Sequence, residues 1–210
     1  MFRSLLLAIL AIAAVAPLHA QPSSQNPERH KLCADEWERN LRESPENASY
    51  FGDSRFNDRW TDMSLAAIGA REAADRAALA KLQGIGRAAL SPSDQLNYDT
   101  FEWQLTRNIE RQRYREYLMP MTHQGGVQTA DGIAELLDFR TEKAYSDWLA
   151  RLDKLPALID QNIVLLREGV KTGRTPPKAI MQRVPNQINA QVVKDPESSA
   201  FYAPFKKLPD

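Results

Sequence analysis

Between Ser91 and Leu118 apolar residues recur on two opposite sides of one predicted helix, and this pattern limits what the chain can become. Ser91 offers an N-cap hydroxyl and Pro92 a preset first turn. Tyr98, Phe101, Leu105 and Ile109 then fall on one face, and Leu96, Trp103, Tyr114 and Leu118 on the other. A helix apolar on two faces is expected between neighbours, so this one is predicted to be central. Alternating apolar–polar runs are nearly absent elsewhere, and glycine is sparse, at 9 of 210 residues. The predicted fold class is all-α, an array of amphipathic helices.

The flanking sequence follows the same period. Glu28 to about Glu43 forms a helix with Leu32, Trp37 and Leu41 as candidate core, ended or bent at Ser44-Pro45. Ser64 caps a helix to about Gln83, with a small-residue stripe through Ala67, Ala70, Ala74, Ala78 and Leu82. Thr141 caps another, carrying Tyr145, Trp148, Leu149, Leu152 and Leu155, and Pro156 kinks it or opens a new one. Ile159, Ile163, Leu166 and Val170 make the next stripe. Thr175-Pro176-Pro177 restarts helix, with Ile180, Val184, Ile188 and Val192 inward and Pro185 as a kink. Gln182, Asn186, Gln187, Asn189 and Gln191 crowd its other faces, as a polar groove or a solvated surface. Phe201, Tyr202, Pro204 and Phe205 follow with no later element to bury them, so the end is expected to be a cut.

Residues 1–20 are of another kind. Arg3, the apolar run Leu5 to Val15 and the stretch Pro17-Leu18-His19-Ala20 have the layout of a secretory signal peptide, too short for a membrane span. Residues 21–27 make a polar leader, and 28–210 the helical portion. Export to the periplasm or medium follows, with no membrane contact after cleavage. Lys plus Arg equals Asp plus Glu at 27 each, and removing Arg3 leaves 26 against 27, a net charge near −1. A balance of this kind gives no general attraction for nucleic acid or anionic membranes. The single cysteine, Cys33, allows no internal disulfide and is predicted to be a buried helical thiol.

Candidate chemistry is concentrated in Leu118 to Phe139, the one long glycine-containing, helix-breaking segment. His123, Gln124, Gln128 and Thr129 can hydrogen-bond a ligand there, beside the bare backbone of Gly125 and Gly126. A tight helix–helix turn is the alternative. Elsewhere, Tyr50 to Asp62 alternates aromatics, acids and arginines without period, as a surface loop pinned by Asp–Arg pairs with Phe51, Phe56 and Trp60 packed inward. A catalytic zinc site needs about three protein ligands. Outside the leader only His30 and His123 remain, and His-Glu-x-x-His, Gly-x-Ser-x-Gly and phosphate-binding glycine motifs are all missing. No catalytic set and no cofactor site is legible in these residues.

Several segments together resemble the bacterial "domain of unknown function 885" family. They are Tyr50-Phe51-Gly52-Asp53-Ser54-Arg55-Phe56-Asn57-Asp58-Arg59-Trp60, Ser91 to Tyr98, Leu118-Met119-Pro120-Met121 and Gln124 to Thr129, then Tyr145 to Leu152, Thr175-Pro176-Pro177 and Ser198 to Phe205. The resemblance covers about Pro45 to the end. It implies an exported, mostly helical protein of roughly three times this length, similar to zinc metallopeptidases. The family's His-Glu-x-x-Pro-Gly-His-His segment lies in the carboxy-terminal half, which this sequence does not contain, so none of its ligands transfers here. On that resemblance the chain is the amino-terminal wall of the substrate channel of a larger metallopeptidase-like fold. Zinc, a peptide or amide substrate and the carboxy-terminal half of the same chain are the implied partners. The competing expectation is a non-catalytic helical binding module.

Overall fold

Three caps predicted from sequence form as local chemistry dictates. A computed structural model describes residues 26–208, without the side chain of Lys207. The Oγ atoms of Ser64 and Ser91 and the Oγ1 of Thr141 accept from the N–H groups of Ala67, Asp94 and Ala144, each at 3.2 Å. They open α3 (Leu65–Gly84), α4 (Pro92–Gln112) and α5 (Glu142–Asp153). Before them run α1 (Pro27–Glu43) and α2 (Pro45–Tyr50), split at Ser44-Pro45. After them come α6 (Leu155–Lys171), α7 (Lys178–Met181) and α8 (Val184–Gln191). Six 3-10 segments complete the described residues, the longest Val127–Leu136. The described residues contain no strand, and the fold is all-α. The signal-peptide stretch and most of the polar leader lie outside the described residues; Asn26 and Pro27 already belong to α1, as its cap and first residue.

The first core lies between α1, α3 and α4, where Leu32, Ala78, Leu82, Tyr98 and Leu105 meet Ile85 and Leu90 from the α3–α4 connection. A second joins Ile68 of α3, Leu118 and Leu165 of α6. Close approach makes this second core possible. A Cβ at Gly169 would lie 2.6 Å from the Leu118 carbonyl oxygen and 2.7 Å from that of Arg174, so α6 packs there because it has none. A third, aromatic cluster sets Trp148 and Tyr145 of α5 against Phe139, Phe201 and Phe205, and Trp148 Nε1 donates to the Phe201 carbonyl at 3.0 Å. The late aromatics are thus half-buried on α5, contrary to the sequence expectation.

Several predicted faces need correction. Phe101 and Ile109 are half-buried beside Tyr98 and Leu105, but Leu96 and Trp103 on the second face of α4 are 68% and 65% exposed. That helix stops at Gln112, and Arg115 follows in the left-handed region at φ 51°. It is therefore no central, sandwiched helix. In α6 the buried residues are Leu158, Asn162, Leu165 and Gly169, one position from the predicted stripe, and Val170 is 69% exposed. The contact with the Leu118 backbone rotates the helix toward its glycine. Trp37 and Phe51 are exposed and pack against each other in a tilted pair, ring centroids 5.1 Å apart. Of the two alternatives at Pro156 the new helix holds, Pro185 opens α8 in place of the expected kink, and of the last stripe only Val184 is buried. Cys33 is half-buried on α1.

The loop after α2 is held by Arg151, fully buried on α5. Its Nη2 donates to the Phe56 carbonyl at 3.0 Å and to Ser49 Oγ at 3.2 Å, and its guanidinium carbon lies 5.2 Å from the Trp60 ring centroid. Trp60 Nε1 returns a bond to the Arg151 carbonyl at 2.8 Å. Burial lowers the Arg151 pKa to about 10, against the pull of Glu46, Asp58 and Asp147, so the side chain remains a cation at neutral pH. No carboxylate pairs with it, and Nε and Nη1 have no partner among the described residues. Arg151→Ala is expected to cost about 3 kcal/mol, through a cavity and an unbonded carbonyl. Arg151→Met, which fills the space without a buried charge, should cost clearly less. Urea unfolding checks this, and equal losses would mean that the charge, not the volume, is what the site needs.

A second long-range tie joins the starts of α1 and α4. Asp94 accepts from the Asn26 N–H at 3.1 Å and forms a buried ion pair with Arg29. Burial works against its charge, but the Asn26 N–H and the Arg29 guanidinium outweigh it and hold the carboxyl below its usual pKa. A depressed carboxyl contributes stability fully above its unfolded value, about 3.9, and loses it as pH falls through the lower folded value. Asp94→Asn should therefore lower the melting temperature at pH 7 and flatten its fall below about pH 4. Parallel melting curves for both proteins from neutral to acid pH would contradict the assignment.

Candidate functional site

The glycine loop is closed by its own backbone before any ligand is considered. Thr122 N donates to the Gly125 carbonyl at 2.8 Å as an isolated antiparallel bridge. Thr129 turns both its N–H and its hydroxyl onto the Gly126 carbonyl, each at 3.0 Å. Gln128, 4% exposed, reaches back through Nε2 to the carbonyls of Thr122 at 2.7 Å and Gly125 at 3.3 Å.

Gly126 and not Gly125 carries the conformational demand. Gly126 sits at φ 142°, and a Cβ there would lie 2.5 Å from Gln128 Oε1 and 3.0 Å from the Pro120 carbonyl oxygen. A Cβ at Gly125 meets nothing within 4 Å. The second half of the segment is a 3-10 run, Val127–Leu136, kinked at Thr129 with φ −120° and ψ 20°.

The five amides on and before α8 divide between two roles. Gln187 Nε2 donates to the His123 carbonyl at 2.9 Å, and Gln191 Nε2 to the Gln128 carbonyl at 3.1 Å and Asp131 Oδ1 at 2.9 Å. Two side chains therefore clamp the loop, while Gln182, Asn186 and Asn189 face solvent. Inside the clamp, His123 Nδ1 and Gln128 Oε1 are buried without partners among the described residues.

Beside this loop opens a cleft of about 390 Å³. Glu46 of α2 and Trp60, Thr61 and Met63 of the following segment form one wall; Pro120, Gly126, Val127, Thr129, Ala130 and Ile133 form the other. Leu158 and Asn162 of α6 complete it. Of the six residues predicted from sequence, Gly126 and Thr129 line the cleft, whereas His123, Gln124, Gly125 and Gln128 do not. Glu46 is held by Thr61, whose N–H donates to Oε1 at 3.1 Å and whose hydroxyl donates to Oε2. Asn162, almost fully buried, donates from Nδ2 to the Leu158 carbonyl at 2.8 Å.

Sequence reasoning missed Glu46, Asn162 and Arg151. The only available signal was a polar residue at a core position of an amphipathic helix, as Arg151 stands three residues after Trp148 and Asn162 four after Leu158. The arrangement offers an apolar cavity edged by amide, hydroxyl and carboxylate groups. Among the described residues no three His, Cys, Asp or Glu side chains are grouped to hold a metal ion, so they do not fit a zinc site. No described helix is long and apolar enough to cross a membrane.

Residues 45–210 match the family described as "Bacterial protein of unknown function (DUF885)". A comparison with curated proteins found no match. Gly126→Ala is expected to destabilise the protein by roughly 1–3 kcal/mol, from strain and from contact with Gln128 and Pro120. Gly125→Ala should stay within about 0.5 kcal/mol. Denaturant midpoints decide, and a tolerated Gly126→Ala would remove the structural role given to this residue.

Proposed function

Because this chain belongs to the bacterial DUF885 family, we propose that it builds one wall of the substrate cleft of an exported hydrolase of the zinc-peptidase type. The observation that carries this reading is the cleft itself, where segments more than a hundred residues apart in sequence meet around a mostly apolar cavity with hydrogen-bonding groups at its edge. Ligand pockets combine those two features. Export is supported by the positive, apolar and small-residue order of residues 1–20. Zinc enters only through the family resemblance. The work of this chain is positioning: the Thr129 and Asn162 side chains edge a cavity that a peptide or amide substrate enters.

A binding module without catalysis is the second reading. It gains from one observation, the packing of Phe201, Tyr202 and Phe205 against α5 and against one another, which removes stranded aromatics as an argument against it. The intact gene product separates the two. On blocked peptide amides it should show hydrolysis that a chelator abolishes. Ile133→Trp, which fills the cleft, should lower kcat/KM by about tenfold or more with little change in melting temperature. Peptide binding without any turnover would favour the binding module, and hydrolysis indifferent to Ile133→Trp would place the substrate elsewhere.

A further inference from the structure

On the reading that this wall faces substrate, we infer that the cleft is a side-chain pocket, selective for one large uncharged aliphatic or aromatic group next to an amide bond. Its volume of about 390 Å³ is near the lower end of the range that holds whole ligands, roughly 300–1,000 Å³, and suits a single side chain better than an extended peptide. Trp60, Met63, Val127, Ile133 and Leu158 are among its lining residues, and the lining is mostly apolar. The nearby cation is kept out of the cavity, and the one carboxylate on its wall is already hydrogen-bonded. The Arg151 cation stacks on the Trp60 ring, is fully buried and does not line the cavity. Glu46 does line it, but Thr61 donates to both of its oxygens. A carboxylate side chain entering the cavity would lose water and meet only another carboxylate, a large cost. A lysine would lose water around its ammonium, and Glu46, already bonded by Thr61 at both oxygens, would return only part of that cost. Asn162 and Thr129 also line the cavity with donors already committed, Asn162 Nδ2 to the Leu158 carbonyl and the Thr129 hydroxyl to that of Gly126, so each has its oxygen left as an acceptor for an amide N–H.

The test is a fluorescence titration of the intact gene product with N-acetyl-L-leucinamide and its alanine, aspartate and lysine counterparts, with Trp60→Phe to assign the signal. The leucine probe should bind at least about tenfold tighter than the alanine probe, the difference that lost methylenes make in an apolar pocket. The charged probes should not saturate in that range. Ala130→Phe, a plug on the cleft wall, should weaken leucine binding about tenfold or more while leaving the melting temperature in place. Should that variant fail to fold, Ala130→Leu is the smaller plug. Equal binding of all four probes, tightest binding of a charged probe, or indifference to the plug would overturn the inference. Turnover is not needed for any of these readouts. Leucine binding without hydrolysis would sustain the pocket and end the peptidase reading, whereas hydrolysis preferring charged side chains would do the reverse.

Discussion

A buried arginine without a carboxylate partner organises the middle of this molecule. Arg151 is held by a carbonyl, a hydroxyl and an aromatic face, all from the segment Ser49 to Trp60, nearly a hundred residues earlier. Hydrogen bonds to a charged group are worth more than neutral ones, about 1.5–3 kcal/mol. They hold this segment, which has one short 3-10 turn as its regular structure, in a single place against α5. Trp60 is thereby fixed with one side toward the guanidinium and its edge in the cleft. The cleft wall inherits its position from that contact.

The opposite wall is fixed by a different device. The loop at Gly125 and Gly126 has carbonyl groups that no helix satisfies, and Gln128, Gln187 and Gln191 bond them one by one. Amides suit this task because each offers two donors and an acceptor from an uncharged group, so they can be half-buried without the cost of a charge. One wall thus hangs on α5 through a cation and the other on α8 through amides, with α6 completing the cavity between them. A site supported in this way keeps its shape without a ligand, as a side-chain pocket requires.

How far the sequence could be read differs from element to element, for a physical reason. The caps at Ser64, Ser91 and Thr141 were legible because they depend on bonds between residues three apart. The all-α class follows from the same local period, and the glycine segment lies beside the cleft. Two of its six candidate residues reach the cleft. The roles of the others went unseen because Gln128 bonds backward into its own loop, and His123 is met by a glutamine 64 residues away.

Tertiary structure alone decided which face each helix buries. In α6 two stripes a residue apart are both periodic, and apolarity favours the one through Ile159, Ile163, Leu166 and Val170. The chain buries the other, because only at Gly169 can the Leu118 carbonyl come so close. The second face of α4 shows the same limit: Leu96 and Trp103 are apolar at helical spacing, yet no described element lies against them. Hydrophobic period states that a helix forms and that it has sides. Where backbones approach, which cation is enclosed and which amide finds which carbonyl depend on contacts between distant residues, and those are set only when the helices meet.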